Sequence, residues 1–449
     1  MIKQMLMIFL TVCILVTPIS GAKYGTIEFR EGSGLLMKSG ILHTDIPPGG
    51  YTTIIYKSGS DYVSVDRTGA KQLTGSGAAV LQDAISRGGS IKLLSEVVVD
   101  TTVILNNTID IEGIGWSSGI TGAANPIFET DLDVYHYTSL RNLRLAGTNA
   151  SGNTVLKLYK TWASATPPSF SADHVQFTSL HGDIVEIYGA VYPKFVNCWF
   201  NSSIAVGSRD SGNATGVYAW ANASGGAMSV TFDTCTFSWL RYGFRTDSTV
   251  AVYNCGHQLV NCDMVHVGHG VDMRTGEVII LSGCEFDFNN YPVRLENFTY
   301  ATITGGWYSA RAANATAIDI VNSWFARVQG AHIRSSASAG SKGAAVRIQG
   351  STGSTTGAQM NNIAGNSIWA ADPGIWINHD GADTSDNRIS GNMIRDADYM
   401  HGILLSATTT GNVVEGNMFT SCGAGNIQDS GTNNYVRSGA SWSNSYGGN

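Results

Sequence analysis

A four-residue pattern that returns through the second half of the chain limits its fold more than any other feature. It reads turn residue, small residue, any residue, large apolar residue. The copies are Asn197-Cys198-Trp199-Phe200, Thr234-Cys235-Thr236-Phe237, Asn261-Cys262-Asp263-Met264, Gly283-Cys284-Glu285-Phe286, Gly305-Gly306-Trp307-Tyr308, Gly330-Ala331-His332-Ile333, Gly365-Asn366-Ser367-Ile368, Gly391-Asn392-Met393-Ile394 and Gly416-Asn417-Met418-Phe419. Weaker copies start at Asn142 and His174. From Cys262 to Cys284 to Gly306 the spacing is 22 residues, and longer intervals fit insertions at a fixed corner. A period in the twenties marks a solenoid.

The pattern also says which side chains face inward. Three residues before each small residue stand Leu140, Ala172, Phe195, Phe232, Leu259, Leu281, Ile303, Val328, Ile363, Ile389 and Val414. Two residues after it stand Leu145, Phe177, Phe200, Phe237, Met264, Phe286, Tyr308, Ile333, Ile368, Ile394 and Phe419. Neither column holds a charge. The turn between them needs a left-handed backbone, which Asn and Gly tolerate best. A third short strand alternates strictly, as in Val271-Asp272-Met273-Arg274, Val293-Arg294-Leu295-Glu296 and Val346-Arg347-Ile348-Gln349, so its second and fourth residues are expected on solvent. Three strands per coil, stacked in register, give a solenoid of parallel sheets. The leucine-rich spacing and the 3.6-residue helical period are both absent.

With these residues in view, the chain resembles the right-handed parallel β-helix proteins of the pectate-lyase-like superfamily, over Ile91 to Asp429. The resemblance implies an all-β, single-stranded right-handed parallel β-helix with three short parallel sheets and roughly 22 or more residues per coil. It also implies an N-terminal capping helix. Ala78-Ala79-Val80-Leu81-Gln82-Asp83-Ala84-Ile85 supplies one, with its apolar residues on one face. A cap is needed because the first coil otherwise leaves strand edges unpaired.

The expected organisation is a signal peptide over 1–22, a small β module over 23–75, helix plus β-helix over 76–429, and a polar, poorly ordered tail over 430–449. Lys3, the apolar run Met5 to Val16 and Ser20-Gly21-Ala22 carry the export signal; a retained N-terminal anchor is the alternative. Tyr51 to Lys57 and Tyr62 to Val65, joined by Ser58-Gly59-Ser60-Asp61, read as a hairpin. Charged residues make up only 14% of the chain against 53 glycines, which suits a turn-dense β protein. A net charge of −7 argues against nucleic acid and anionic membrane surfaces as partners. No membrane span is expected beyond the signal, and the protein is expected to be secreted or at the cell surface. The sequence leaves oligomerisation open, a trimer included.

Cys198, Cys235, Cys262 and Cys284 fall in one column of successive coils, so they should stack about 4.8 Å apart. Parallel stacked side chains pair poorly as disulfides, and a single-file column cannot surround a metal. A buried thiol ladder is expected, continued by Asn366, Asn392 and Asn417.

Candidate chemistry sits on the third strand. Its first outward column runs Lys157, Glu186, Tyr218, Arg245, Asp272, Arg294, Asp319, Arg347, Trp376, Leu404; its second runs Tyr159, Tyr188, Trp220, Asp247, Arg274, Glu296, Val321, Gln349, Asn378, Ser406. The alternating charges would serve equally as a ladder of cross-strand ion pairs that needs no substrate. Tyr188, Tyr218 and Trp220 form an expected exposed aromatic cluster beside Arg245, Asp247 and Asp272 that suits a sugar chain, with rings on the aromatics and hydroxyls or carboxylates on polar groups, Arg294 among the substrate-binding candidates. Asp247 and Asp272 come out about 8 Å apart by strand geometry. That lies within the roughly 6.5–9.5 Å used by inverting glycosidases. Alternatively, Arg245, Arg274 and Arg294 neutralise an acidic sugar for β-elimination, with Arg274 or a histidine as base. His266 and His269 lie in the segment entering the Asp272 strand, and Glu296 completes the candidate catalytic set of Asp247, Asp272, Arg274, His269 and Glu296. The insertions Asn201 to Gly216 and Arg334 to Ala345 are candidate groove walls.

In the superfamily this strand lines the substrate groove. The chain departs from its specific motifs, however. It has His-Gly at His181, His269 and His401, but not the Asn-Thr-Asp triplet, paired Asp or Arg-x-Lys of polygalacturonases, nor the Arg-x-Pro-x-x-Arg of pectate lyases. Calcium is implied by the resemblance alone, and no metal ligands are nominated. The expected partner is a polysaccharide or surface glycan. Three functions stay open: a polysaccharide lyase or inverting hydrolase, a non-catalytic adhesive β-helix, and a viral tail-spike-like depolymerase, against which the export signal counts.

Overall fold

A computed structural model describes residues 50–437, except 131–135, 149–151, 160–168, 190–191, 203–213, 222–225, 227, 249–253, 336, 338–340, 353, 355–356, 382 and 398–399, together with an antiparallel strand pair at Leu35–Lys38 and Ile41–Thr44. The expected signal peptide and the segment 438–449 lie outside the described residues.

The chain winds into a parallel β-helix of about 11 turns. Parallel crossovers of this kind wind right-handed. Each coil contributes to three ladders, here called sheet A (before the tight turn), sheet B (after it) and sheet C. One coil, for example, supplies Arg327–Gln329 to A, His332–Ser335 to B and Val346–Gly350 to C.

Register follows the sequence columns without a slip. Leu140 faces Ala172, then Phe195, Phe232, Leu259, Leu281, Ile303, Val328, Ile363, Ile389 and Val414. Every residue of both inward columns is at most 1% exposed. Within the core, Phe177, Phe200 and Phe237 stack with ring centroids 5.0 and 4.6 Å apart. Each fully buried apolar side chain stabilises the coil by about 1.5–3 kcal/mol. The turn position is left-handed in every copy, from Asn142 (φ 51°) to Gly416 (φ 61°), and even His174 and Thr234 adopt it.

The small-residue column behaves as its chemistry demands. Cys198, Cys235, Cys262 and Cys284 are free and buried. Each thiol donates to a sheet A carbonyl of an earlier coil: Ala172, Phe195, Phe232 and Leu259, at 3.3–3.6 Å. The Cys235 thiol and burial, opposed by the Cys284 thiol, push Cys262 up to about 12, so it is a thiol and not a nucleophile. Gly306 interrupts the ladder because a Cβ there would lie 2.2 Å from the Cys284 carbonyl oxygen. Asn366, Asn392 and Asn417 then continue it, each amide donating to the next at 2.9–3.0 Å. A second ladder runs Asn361, Asn387, Asn412, Asn434 at the opposite end of the same sheet A strands.

The N-terminal end is closed edge by edge. Helix α1 (Gly77–Arg87) starts at Ser76, whose hydroxyl accepts from the Ala79 N–H, and ends at Gly88. It buries Ala78, Val80, Leu81, Ala84 and Ile85 on the first coil. The Gln82 amide accepts the Ile104 N–H at 2.7 Å and donates to the Ile104 carbonyl at 3.0 Å, standing in for a missing strand beside Val103–Leu105 of sheet C. Tyr62 Oη accepts the Val98 N–H at the edge of sheet B. For sheet A, the expected hairpin, Thr53–Ser58 with Asp61–Asp66, pairs in parallel with Gly89–Leu93. Within the 23–75 segment, Thr53–Ser58, Asp61–Asp66 and Lys71–Gly75 therefore join the sheet of the β-helix, whereas Leu35–Lys38 and Ile41–Thr44 form a separate two-stranded sheet. At the other end the stack runs on to Tyr435–Val436. Among the described residues no helix is long and apolar enough to cross a membrane.

Candidate functional site

Both outward columns of sheet C lie as the alternation places them. The first pairs in register from Lys157 and Glu186 through Tyr218, Arg245, Asp272, Arg294, Asp319 and Arg347 to Trp376 and Leu404. What these side chains do to one another differs from a simple exposed ladder.

At the N-terminal end is an aromatic stack. Tyr188 lies between Tyr159 (centroids 4.8 Å) and Trp220 (3.9 Å). The sandwich leaves Tyr188 2% exposed, correcting the expectation of an exposed ring there. Trp220 donates its indole N–H to Glu186 Oε1 at 2.9 Å, which fixes the plane of the outer ring. Next come Tyr218 and Tyr242, with the Arg245 guanidinium 5.5 and 5.0 Å from their ring centroids. Burial and the nearby Asp247 charge hold the Tyr218 phenol above its ordinary range.

The ion pairs run mostly along strands. Arg245 reaches Asp247 at 3.5 Å, Arg274 reaches Asp272 at 3.2 Å, and Arg294 reaches Glu296 at 3.0 Å. Across coils, Arg347 holds Asp319 with two bonds of 2.8 Å. Asp272 is fully buried, against the expectation that it faces solvent. A short carboxylate flanked by three long arginines is covered by them. This removes the Asp247/Asp272 pair as a water-bridged acid and base, because the Asp272 carboxylate is enclosed and already bound. Arg274 is also corrected as a base: although burial opposes its charge, the Asp272 bond raises its pKa.

A third outward column, not nominated from sequence, lies at the start of the same strands: Asp183, Thr215, Tyr242, His269 and Tyr291 in register. Each of Asp183, Tyr242, His269 and Tyr291 stands three residues before a member of the first column, a spacing that could have revealed it. His269 is stacked between Tyr242 (4.7 Å) and Tyr291 (4.8 Å). Burial lowers its pKa, opposed by Asp272 and helped by the neighbouring arginines. Its imidazole is therefore neutral near pH 7, and its Nδ1 is buried without a hydrogen-bond partner. Asp183 is the opposite case: burial, with the Glu186 charge, raises its carboxyl, against a bond from Thr215. His266 sits elsewhere, at the corner before sheet C, between Trp239 (4.4 Å) and Phe288 (5.0 Å).

His269 and Arg294 open onto a cavity of about 340 Å³ walled by Tyr291, Thr316, Asp319 and Arg347. Through Asn314, Thr316 and Arg347 it adjoins a second of about 530 Å³, bounded by Lys342, Asp372, Trp376 and Met400. Lys342 to Ala344 belong to the expected wall; the other expected wall lies mostly outside the described residues. Loops of unequal length supply Asn314, Thr316, Lys342 and Asp372, so no periodic signal marks them. Among the described residues, no three His, Cys, Asp or Glu side chains stand together as a metal shell.

Fold and face together define a class: a parallel β-helix that presents aromatic, basic and carboxylate side chains along the outward face of one sheet. In three dimensions the chain is similar to the mannuronan C-5 epimerase AlgE6 A-module of Azotobacter vinelandii, at 16% identity, covering 81% of this chain and 95% of that one, with a TM-score of 0.49. It is similar to the catalytic unit of the GH87 α-1,3-glucanase of Streptomyces thermodiastaticus strain HF3-3, at 13% identity, covering 82% and 66%, TM-score 0.47. Tailspike protein 3 of Bacteriophage CBA120 is similar at 13% identity, covering 80% and 56%, TM-score 0.44. These likenesses are of fold. No protein-family model matches the sequence, and no curated protein matches it.

Proposed function

We propose that this is an exported protein that holds a polysaccharide along the outward face of sheet C and performs acid–base chemistry on an acidic sugar at the His269–Arg294 cavity. One observation carries the reading: the Tyr159–Tyr188–Trp220 stack and the cavity share the outward face of sheet C, with Trp220 and Arg294 three coils apart along the helix axis. At the strand spacing that is about 14 Å, a span for an extended chain rather than a small molecule. Indole and phenol faces suit pyranose rings, and Arg294 suits a sugar carboxylate.

The favoured reaction is proton abstraction beside that carboxylate, as in a lyase. His269 lines the cavity as a neutral imidazole, the protonation state a general base needs. Arg294, paired with Glu296 at 3.0 Å in the free protein, would exchange that partner for the sugar carboxylate and so stabilise the charge that develops. A hydrolase is the second reading, favoured by Asp183, whose raised carboxyl could give a proton to a leaving oxygen.

The test is turnover of acidic and neutral polysaccharides, following unsaturated product by ultraviolet absorbance and, separately, reducing ends. The lyase reading expects unsaturated product that falls at least a hundredfold in His269→Ala and persists in Asp183→Asn. Reducing ends without unsaturation, lost in Asp183→Asn, would replace it with the hydrolase.

A further inference from the structure

The outward face of sheet B carries a separate cluster that the groove does not use. Its second column runs Ser309, Arg334, Trp369, Arg395 in direct register, and Trp307 and His332 pair beside it. Trp307 and Trp369 meet edge to face with centroids 5.5 Å apart. The Arg334 guanidinium lies 5.1 Å from the Trp307 ring centroid, and that of Arg395 4.3 Å from Trp369.

Charge balance sets this cluster apart. Arg245, Arg274, Arg294 and Arg347 on sheet C each have a carboxylate partner. Among the described residues, neither Arg334 nor Arg395 forms an ion pair. Arg334 Nε donates only to a neutral hydroxyl, Ser309 Oγ, at 3.2 Å, and Arg395 Nε is buried with no partner. A guanidinium lying on an indole is held flat by the ring and keeps its N–H edge for an anion. Two such groups without counter-charges are a built receptor for negative charge. One coil separates each from Trp369, so they sit about 10 Å apart along the helix axis.

We propose that sheet B binds an anionic polysaccharide, with Arg334 and Arg395 on successive acidic groups and the tryptophan edges against the sugar between them. A linear polyanion fits better than a lone small anion, because the two cations repeat along the axis. The site does not depend on chemistry in the groove. It gives the protein a second hold on a long acidic chain, which raises the effective concentration of that chain at sheet C.

Binding is measured with immobilised polygalacturonate, dextran sulfate and a neutral glucan, in a Trp220→Ala background that weakens the groove. Polygalacturonate and dextran sulfate distinguish carboxylate from sulfate as the bound group. The proposal expects salt-sensitive binding to at least one, none to the glucan, and a tenfold or greater loss in Arg334→Ala/Arg395→Ala. The double lysine variant, which keeps the charge but loses the flat stacked fork, should fall between. Circular dichroism identical to the parent verifies that each variant is folded. Unchanged affinity in the alanine pair, equal binding to the glucan, or no binding to either polyanion would overturn it.

Discussion

Asp319 holds Arg347 of the next coil through two parallel bonds, whereas Asp272, two coils earlier in the same column, is held by an arginine of its own strand. The Arg347–Asp319 geometry is the stronger, and Asp319 is only 8% exposed. Removing the guanidinium leaves that carboxylate covered and unpaired. Arg347→Ala should therefore lower unfolding free energy by about 1–3 kcal/mol, read from urea titration. His257 tests the interior. It is fully buried against Phe244, its Nε2 bonds Asn254 Oδ1 at 2.8 Å, and burial takes its pKa down to about 3. The unfolded imidazole titrates near 6.5, so the unfolded state binds more protons below that pH. The His257 contribution is fully present above pH 6.5 and is lost on acidification, at up to about 1.4 kcal/mol per pH unit. In His257→Gln, stability measured between pH 6.5 and 5 should fall less steeply than in the parent.

At the scale of the element, the tight turn shows why so much of the fold was legible. Only a few residue types accept φ near +55°, and the sheets on either side must be apolar inward, so three constraints fall on each short stretch. The asparagine ladder from Asn366 came out of the same column. Its twin, Asn361 to Asn434, is equally periodic but lies before the apolar strand, outside the four-residue turn pattern. Exposure was less legible. Alternation assigns a side chain to a face, while the lengths of its neighbours decide whether water reaches it; hence buried Asp272 and Tyr188. Asn392 bonds the ladder above and below and also the Ile363 carbonyl. Asn392→Ala should cost about 2–4 kcal/mol, since it leaves several buried groups without partners. Thermal unfolding of this variant beside the exposed control Arg388→Ala checks that.

For the whole molecule, stability rests on stacking, and each coil depends on the one before it. The first coil is the exception, closed by α1, Tyr62 and the hairpin. Gln82→Ala should cost about 1–3 kcal/mol by leaving the Ile104 N–H and carbonyl without protein partners. It should also open a strand edge, so light scattering on mild heating should show association that the parent lacks. The same stacking aligns the sheet C groove and the sheet B arginines along one axis, so that a long chain can engage either.

The most direct test of the sheet C account is steady-state turnover of acidic polysaccharides by the parent, Trp220→Ala and Arg294→Ala. The account predicts a raised KM with little change in kcat for Trp220→Ala, because the stack lies away from the reacting sugar. For Arg294→Ala it predicts a large fall in kcat. Turnover indifferent to both substitutions, or none on any acidic polysaccharide, would contradict it.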